Sequence, residues 1–448
     1  MQFNILTTLE SIELNYDSIH EYFKSNYNNK INTKQINDNL VLVYNSFIAN
    51  NVLDKKLFNE CRSIVLDINP SASNRIISYT HDNIIYFKIN EYINPEANDV
   101  YKESFEGTLV SVFNHDGKWF FATSRCPDID KSYFYNKTKT FGSLFDDCLK
   151  SDFLQSNIEL DNSIREQLVS YLDTNNCYYF VIIHHENKHI IDYSDRFGLE
   201  YKKLIHVFTR KQSTQELIDV KIPFIEQPKK FDNYEAGINF INDTNVKSEG
   251  LIVEKFDQTS KKTFLIKIMP DPYWIEKAQT PNYPNRWFVY LDIYRRDDPN
   301  FRITDYQLKN NIVENLEFNT KPIDITGMIY LLYKGTSQCM YNLVMHFTDF
   351  NFETKTYIKI NKSDYELISN SKHGVLRKQI TVLQNLINKQ TIKSSTNIIT
   401  HLRKYVRVED MVGLLGSMSL LMSETKLINY SNNYYQNFVN IYLEQLRQ

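Results

Sequence analysis

Residues 86–125 read YFKINEYINPEANDVYKESFEGTLVSVFNHDGKWFFATSR, and this stretch decides the fold. At its centre, Glu106-Gly107-Thr108-Leu109 puts an acid, a glycine and a small hydroxyl directly before the alternating run Val110-Ser111-Val112-Phe113. Such alternation predicts a strand. Asn114-His115-Asp116-Gly117 is a turn, and Lys118–Thr123 returns as a second strand. Asp-Gly between two apolar runs is a strong hairpin signal. A glycine ahead of a strand lets the backbone approach something bound there.

Working outward, short β-type runs recur on both sides. Upstream are Val41-Leu42-Val43-Tyr44, then Glu60-Cys61-Arg62-Ser63-Ile64-Val65-Leu66-Asp67 with an arginine near its start, a run beginning at Ile76-Ile77, and Tyr86-Phe87-Lys88-Ile89-Asn90. A helix is expected around residues 17–23, followed by a polar loop over 25–30. Downstream, Ser163 to Glu166 fits a capping box, with Ile164, Leu168, Val169 and Leu172 at helical spacing. Residues 177–183 (CYYFVII) predict a strand that turns through 184–189 and returns over Ile190-Ile191-Asp192-Tyr193. Residues 204–209 predict another strand and 213–217 the start of a short helix. Glu249 to Glu254 and Thr263 to Ile268 predict two strands joined by a polar turn.

Composition shifts near Pro270-Asp271-Pro272. Beyond it, Leu376, Ile380, Leu383 and Ile387 mark one amphipathic helix, and residues 433–446 another. The domain boundary falls between about 270 and 295, in keeping with two domains for a chain of 448 residues. The assignment is 1–275 and 276–448: an α+β first domain, dominated by antiparallel sheet, and a mostly helical second one.

Composition excludes several classes. With 42% hydrophobic and 14% aromatic residues the chain supports packed cores and not global disorder. A net charge of −3 gives no overall signature of nucleic-acid binding and leaves room for a local basic groove. Cys61, Cys126, Cys148, Cys177 and Cys339 are scattered, which reads as reduced thiols in a cytoplasmic setting. The N-terminal residues carry acids where a signal peptide carries a basic region. The longest apolar stretch, 411–422, is too short to span a bilayer, so no membrane association is expected. No motif specifies an oligomeric state.

His185-Glu186-Asn187-Lys188-His189 matches the zinc-protease pattern His-Glu-x-x-His. That chemistry needs a helix, where residues four apart lie roughly 6 Å apart on one face. The flanks here are β-branched and aromatic, and on a strand the same two residues would be about 13 Å apart. No metal is assigned to them.

A second constellation lies in the order of features. Arg62 comes first, then Lys88, then the acid-glycine-hydroxyl turn at Glu106, then Ser124-Arg125, a turn with Asn187, Glu249-Gly250 and finally Lys267. Cations suit a nucleotide's phosphates, and acids suit a ribose or a metal. Taken singly each is an ordinary charge at a strand end; the order is what carries meaning.

In that order the chain resembles the ATP-dependent RNA ligases of the T-even phage tRNA-repair type, within the covalent nucleotidyltransferase superfamily. The resemblance is strongest over residues 40–275. Glu60-Cys61-Arg62-Ser63-Ile64 is similar to the family's Glu-Cys-Arg-Gly-Ile strand, and Lys88-Ile89-Asn90 to its Lys-Phe-Phe-Asn segment. Glu106-Gly107-Thr108-Leu109-Val110-Ser111 resembles its Asp-Gly-Ser-Leu-Val-Ser, and Ser124-Arg125 its Ser-Lys. Residues 187–193 are similar to its Asn-Arg-Ile-Val hairpin, Glu249-Gly250 to its Glu-Gly strand, and Phe264-Leu265-Ile266-Lys267 to its Phe-Lys-Ile-Lys strand. The resemblance implies a lysine that attacks the α-phosphate of ATP, with Mg2+ as the metal, then transfer of AMP to a 5′-phosphate RNA end and sealing by a 3′-hydroxyl, as in RNA repair. It implies nucleotide or phosphate contacts for Arg62, Lys88, Glu106, Arg125, Glu249 and Lys267, and RNA and nucleotide as partners.

The departures from the pattern are as informative. The nucleophilic lysine should stand three residues before the glycine, where this chain has Ser104. The acid expected six residues before Asn187 is Val181. One lysine of the last strand is also missing. With Phe264 aligned the lost position is Leu265 and Lys267 is kept; with Tyr273 aligned Lys267 is the first lysine and Met269 the lost second. The leading reading is therefore a covalently degenerate protein that binds nucleotide or RNA ends as a regulator or scaffold. The alternatives are an active ATP-dependent RNA ligase that uses Lys102 as nucleophile, the displacement absorbed by a bulge, and a purely structural protein that kept the fold. In the second domain, residues 401–407 (HLRKYVR) form a basic helix candidate for RNA contact through Arg403, Lys404 and Arg407.

Overall fold

The computed structural model describes the chain apart from residues 2, 28–29, 47–53, 93–94, 134–138, 162, 188, 244–246, 280–282, 284, 299–300, 310–312, 315, 319–320, 352–355, 361–372, 390, 393, 425–432 and 447–448. It divides into two compact units, Met1–Ala278 and Gln279–Gln448.

The first unit is built on three sheets. Strands β1 (Ile31–Gln35), β2 (Leu40–Asn45), β3 (Ile64–Asp67) and β4 (Ile76–Tyr79) form an antiparallel sheet in that order. The next strands are β5 (Ile85–Lys88), β6 (Val100–Ser104), β7 (Thr108–His115), β8 (Lys118–Thr123), β9 (Asn176–His184) and β10 (Lys202–Lys211). Then come β11 (Leu217–Ile218), β12 (Lys230–Phe231), β13 (Gly250–Asp257) and β14 (Lys262–Met269). They make two five-stranded sheets, ordered β11-β10-β9-β7-β8 and β12-β6-β13-β14-β5. All pairs are antiparallel except β14 with β5. The architecture is α+β, with a second unit that is mostly helical.

The β7–β8 hairpin forms as the Asp-Gly signal requires, with Asp116 at φ 52° and Gly117 at φ 77°. All nine residues of β9 are buried. One face of β9 (Tyr178, Phe180, Ile182) packs on Phe145 and Leu149 of the Phe141–Gln155 helix. The other carries Val181 and Ile183 into a cluster with Phe105, Tyr193 and Tyr273. Burial on both faces explains why CYYFVII is continuously apolar rather than alternating.

Several local expectations change. The strand that returns from β9 is β10, not residues 190–193. The N–H groups of Ile190 and Ile191 both donate to the Glu106 carboxylate at 2.8 Å, so a ladder cannot use them. Arg62 lies in the turn before β3, because the preceding residues form the Lys55–Glu60 helix. Ser163 precedes the Ile164–Val169 helix but makes no cap hydrogen bond, so the capping box is not formed. Residues 213–217 are not helical: Gln215 sits at φ 59° and the chain goes directly into β11. The helix Tyr16–Tyr27 runs into the tract expected to be loop.

Glu60 is fully buried and clamps the N-terminal segment. Its carboxylate accepts from the N–H groups of Asn4 and Ile5 at 2.9 and 2.8 Å and from the Lys262 ammonium at 2.6 Å. Segments 56 and 202 residues away thus meet on one side chain.

The second unit contains helices Arg286–Arg296, Ile303–Lys309, Ile325–Phe347, Gly374–Asn388, Ser395–Tyr405, Val408–Glu424 and Asn433–Gln445. Its core gathers Trp287, Leu332, Leu383, Leu402, Met411 and Tyr442. Leu376, Ile380 and Leu383 are fully buried, so the helical spacing read from the sequence faces the core. Among the described residues no helix is long and apolar enough to cross a membrane.

Candidate functional site

The site is centred on the junction of β6, β13 and β14. Ser104 ends β6 opposite Gly250, the first residue of β13. This register puts the Ser104 hydroxyl against Glu249, to which it donates at 2.6 Å. The other Glu249 oxygen takes the Lys267 ammonium at 2.8 Å and the Tyr273 hydroxyl at 3.4 Å. Ser104, Glu249, Lys267 and Tyr273 are 4%, 6%, 9% and 4% exposed, so the cluster is closed to water. Burial pushes the Glu249 carboxyl up, but the Lys267 charge and the hydrogen bonds from Lys267 and Ser104 outweigh it and leave the group below its ordinary range. The same carboxylate and burial raise the Tyr273 phenol.

Glu106 lies next to this cluster. Burial pushes its carboxyl up to about 7, and the nearby Glu249 charge adds to the rise, while the two backbone N–H donors and Lys267 oppose it. The Tyr193 hydroxyl accepts from the Glu106 N–H at 2.8 Å, which ties the 187–193 segment to β6 and β7. Asn187 Nδ2 donates to the Thr108 hydroxyl at 3.2 Å. Lys277, on the helix Asp271–Gln279, faces the same acids; burial lowers its ammonium, with Glu249 resisting.

Gly107 does bring the backbone close to something, but that something is protein. A Cβ on Gly107 would meet the Ile182 carbonyl oxygen at 2.4 Å and Val181 Cγ1 at 2.5 Å. Val181, at the position of the missing acid, fills the space against the glycine and joins the cluster of Phe105, Tyr193 and Tyr273.

Glu106, Glu249 and Lys267 are thus brought together. Burial lowers the guanidiniums of Arg62 and Arg125, and for Arg125 the Arg62 charge is the next cause. Arg125 Nη2 donates to the Asn45 carbonyl at 3.5 Å. Lys88 is exposed at the last position of β5. Lys102 is not with Glu249; its ammonium pairs with Glu254 at 2.6 Å and lines a cavity of about 200 Å³ with His206, Asp219, Gln227 and Lys230. The sequence reading missed Tyr193, Lys277 and the base partner of Ser104. The spacing Tyr273-x-x-x-Lys277 after β14 was a signal, since residues four apart share a helix face.

The His-Glu-x-x-His spacing falls on a turn after β9, where the N–H of His184 donates to His189 Nε2 at 3.4 Å. His184, His185 and Glu186 offer metal-ligand atoms within 4.8 Å of one another. Two of the three are already engaged: His184 Nδ1 accepts the Glu186 N–H at 3.1 Å, and Glu186 pairs with Lys139. In the second unit, Arg403 donates to the Tyr294 carbonyl at 2.9 Å and pairs with Asp297, and Arg407 pairs with Asp410 at 3.2 Å. Two of the three cations expected to meet RNA are therefore committed within the chain.

No protein-family model matches the chain, and no curated protein matches it in sequence. Among solved structures, it is similar to those of ATP-dependent RNA ligases and to that of a putative ATP-dependent DNA ligase from Aquifex aeolicus, which is 10% identical with a TM-score of 0.35 over 95% of this chain and 98% of that one. An archaeal ATP-dependent RNA ligase, in its form 1, is 9% identical with a TM-score of 0.33, over 66% of this chain and 72% of that one. Form 2 is 10% identical with a TM-score of 0.34, over 70% and 76%. An RNA ligase of Naegleria gruberi with PPi is 11% identical with a TM-score of 0.27, over 52% and 69%.

Proposed function

We propose that this chain is an RNA-ligase-like protein that has lost covalent catalysis and binds phosphate-bearing ligands, nucleotide or RNA ends, as a regulator or scaffold. The observation that carries the reading is Ser104 where the nucleophilic lysine of the pattern belongs, its hydroxyl tied at 2.6 Å to Glu249. Glu249 is placed as a base for that hydroxyl, but Lys267 holds its carboxyl below the ordinary range, which makes it a poor proton acceptor. Lys102 is two residues displaced and engaged by Glu254.

The inner cluster does not fit an adenylylating nucleotide. Its donors and acceptors satisfy one another, and Phe105, Val181, Tyr193 and Tyr273 take up the adjoining volume. The cations proposed to contact a phosphate are Arg62 and Arg125, both half-buried, and Lys88, exposed at the end of β5.

The test is self-adenylylation with radiolabelled ATP and magnesium, on the wild type, Lys102→Ala and Ser104→Lys, beside binding of a 5′-phosphorylated RNA. No labelled protein and retained RNA binding are expected. A labelled wild-type band that vanishes in Lys102→Ala overturns the proposal.

A further inference from the structure

Side chains alternate along a strand, so Glu103 points away from the Ser104 cluster, to the other face of the sheet that contains β6. Glu103 is 3% exposed. Its Oε1 accepts from Arg196 Nη1 at 2.6 Å. Its Oε2 is buried and, among the described residues, receives no hydrogen bond. A carboxylate oxygen taken out of water without a donor is costly, and few buried polar groups are left so. Glu103 also lines a cavity of about 330 Å³, together with Asp192, Tyr193, Asp195, Lys229 and Phe240. That volume suits a small organic ligand.

The charges around the cavity do not balance. Arg196 is shared, since its Nη2 donates to Glu226 at 2.5 Å. Lys247, at the cavity wall, is paired with Asp195 at 2.7 Å. Asp192 accepts the Ser194 N–H at 3.0 Å and forms no ion pair among the described residues. The Lys229 ammonium is held over rings rather than by an acid, 4.9 Å from the centre of Phe240 and 5.5 Å from that of Phe231. Glu103, Glu226, Asp192 and Asp195 thus surround Arg196, Lys247 and Lys229, with one carboxylate in excess. What suits Oε2 is a single positive charge that carries a hydrogen-bond donor. A quaternary ammonium has no N–H, and the Phe240 face it would seek is covered by Lys229. A hard metal ion takes six or more oxygens, and the other oxygen of Glu103 is committed to Arg196.

We propose that this cavity binds a small primary amine in its protonated form, with the ammonium on Glu103 and the apolar body against Tyr193 and Phe240. The proposal stands apart from the function argued above, because Glu103 and Ser104 face opposite sides of the sheet. It is tested on the full chain by isothermal titration calorimetry at about pH 7, with phenethylamine as the probe. N,N,N-Trimethylphenethylammonium keeps the charge and removes the N–H donors. 3-Phenylpropionate keeps the ring and reverses the charge. Magnesium chloride, against matched sodium chloride, is the metal control. The variants are Glu103→Gln, Asp192→Asn and Lys229→Met.

Phenethylamine is expected to bind with a Kd of about 1 mM, and both analogues at least about tenfold more weakly. Glu103→Gln lowers affinity about tenfold, as loss of a charge-assisted hydrogen bond requires. That variant also breaks a buried ion pair, so two exposed positions decide the matter if it does not fold. Asp192→Asn keeps an acceptor for Ser194 and weakens binding about twofold; Lys229→Met removes a like charge and tightens it about threefold. A gain in affinity is not a product of misfolding. Absence of binding at about 10 mM phenethylamine, or equal affinity for either analogue, overturns the proposal. So does displacement of the amine by magnesium beyond the sodium chloride control, or wild-type affinity in a folded Glu103→Gln. Unchanged affinity in both Asp192→Asn and Lys229→Met overturns it too, and leaves water as the partner of Oε2.

Discussion

Replacing Lys267 with Met tests whether the Glu249 cluster is a closed electrostatic unit. The pair is 2.8 Å apart, and both residues are under 10% exposed. At an effective dielectric of 20 the attraction at that distance is about 6 kcal/mol before desolvation. Met removes it and leaves a buried carboxylate with the Ser104 and Tyr273 hydroxyls and the charge of Lys277 alone, for which the expected loss is about 3–5 kcal/mol. Removing both charges, in Glu249→Gln/Lys267→Met, leaves no uncompensated ion and costs less than the single change.

The readout is amide hydrogen exchange in β13 and β14, which reports the opening of this sheet separately from the helical unit. At about 1.4 kcal/mol per tenfold, exchange there accelerates by roughly two to three and a half orders of magnitude in the single variant. The pH dependence has a defined sign. In the wild type the Glu249 carboxyl is depressed, so its contribution is complete above its ordinary 4.5 and is lost as pH falls through the lower folded value. In Lys267→Met the unpaired carboxylate gains by protonation, so the deficit shrinks in acid. A loss below about 1 kcal/mol, or a double variant as damaged as the single, refutes the reasoning.

Three further outcomes follow from the same geometry. Glu106 titrates at about 7, above its ordinary 4.5, so the first unit loses stability as pH rises between those values, by up to roughly 3 kcal/mol; Glu106→Gln, which keeps an acceptor for Ile190 and Ile191, flattens that profile in thermal unfolding from pH 5 to 8. Gly107→Ala drives a methyl into the Ile182 carbonyl and Val181, and a loss of about 1–3 kcal/mol is expected, only partly restored by adding Val181→Ala. Arg403→Ala breaks the tie to Asp297 and the Tyr294 carbonyl, so it lowers the melting of the helical unit and leaves affinity for the 5′-phosphorylated RNA unchanged.

The β7–β8 hairpin was legible because Asp116 and Gly117 take positive φ locally, and β9 because its apolar run is unbroken. What failed was non-local. Nothing around Ile190 says that its N–H is taken by a carboxylate 84 residues earlier, which is why a plausible strand over 190–193 does not form. The start of β3 was misplaced for the same reason, since Glu60 serves the N-terminus rather than a ladder. At the site, the order of motifs singled out Glu106, Glu249 and Lys267, but not that Glu249 and Lys267 pair with each other while the Ile190 and Ile191 N–H groups take Glu106. Gly107 was read as room for a ligand, and only the packing of Val181 reveals the neighbour that needs the room.

The Glu60 clamp sets a schedule for biogenesis. Its cationic partner, Lys262, is 202 residues downstream. At about 5–20 residues per second, roughly 10–40 s of synthesis separate the two. During that interval the nascent chain carries a carboxylate destined for full burial and lacking its counter-charge, so docking of the helix Asn4–Leu9 on Glu60 is expected to be late. A nascent chain halted before residue 262 lacks the Lys262 ammonium, so its first few residues are expected to be more open to proteases than those of the finished chain.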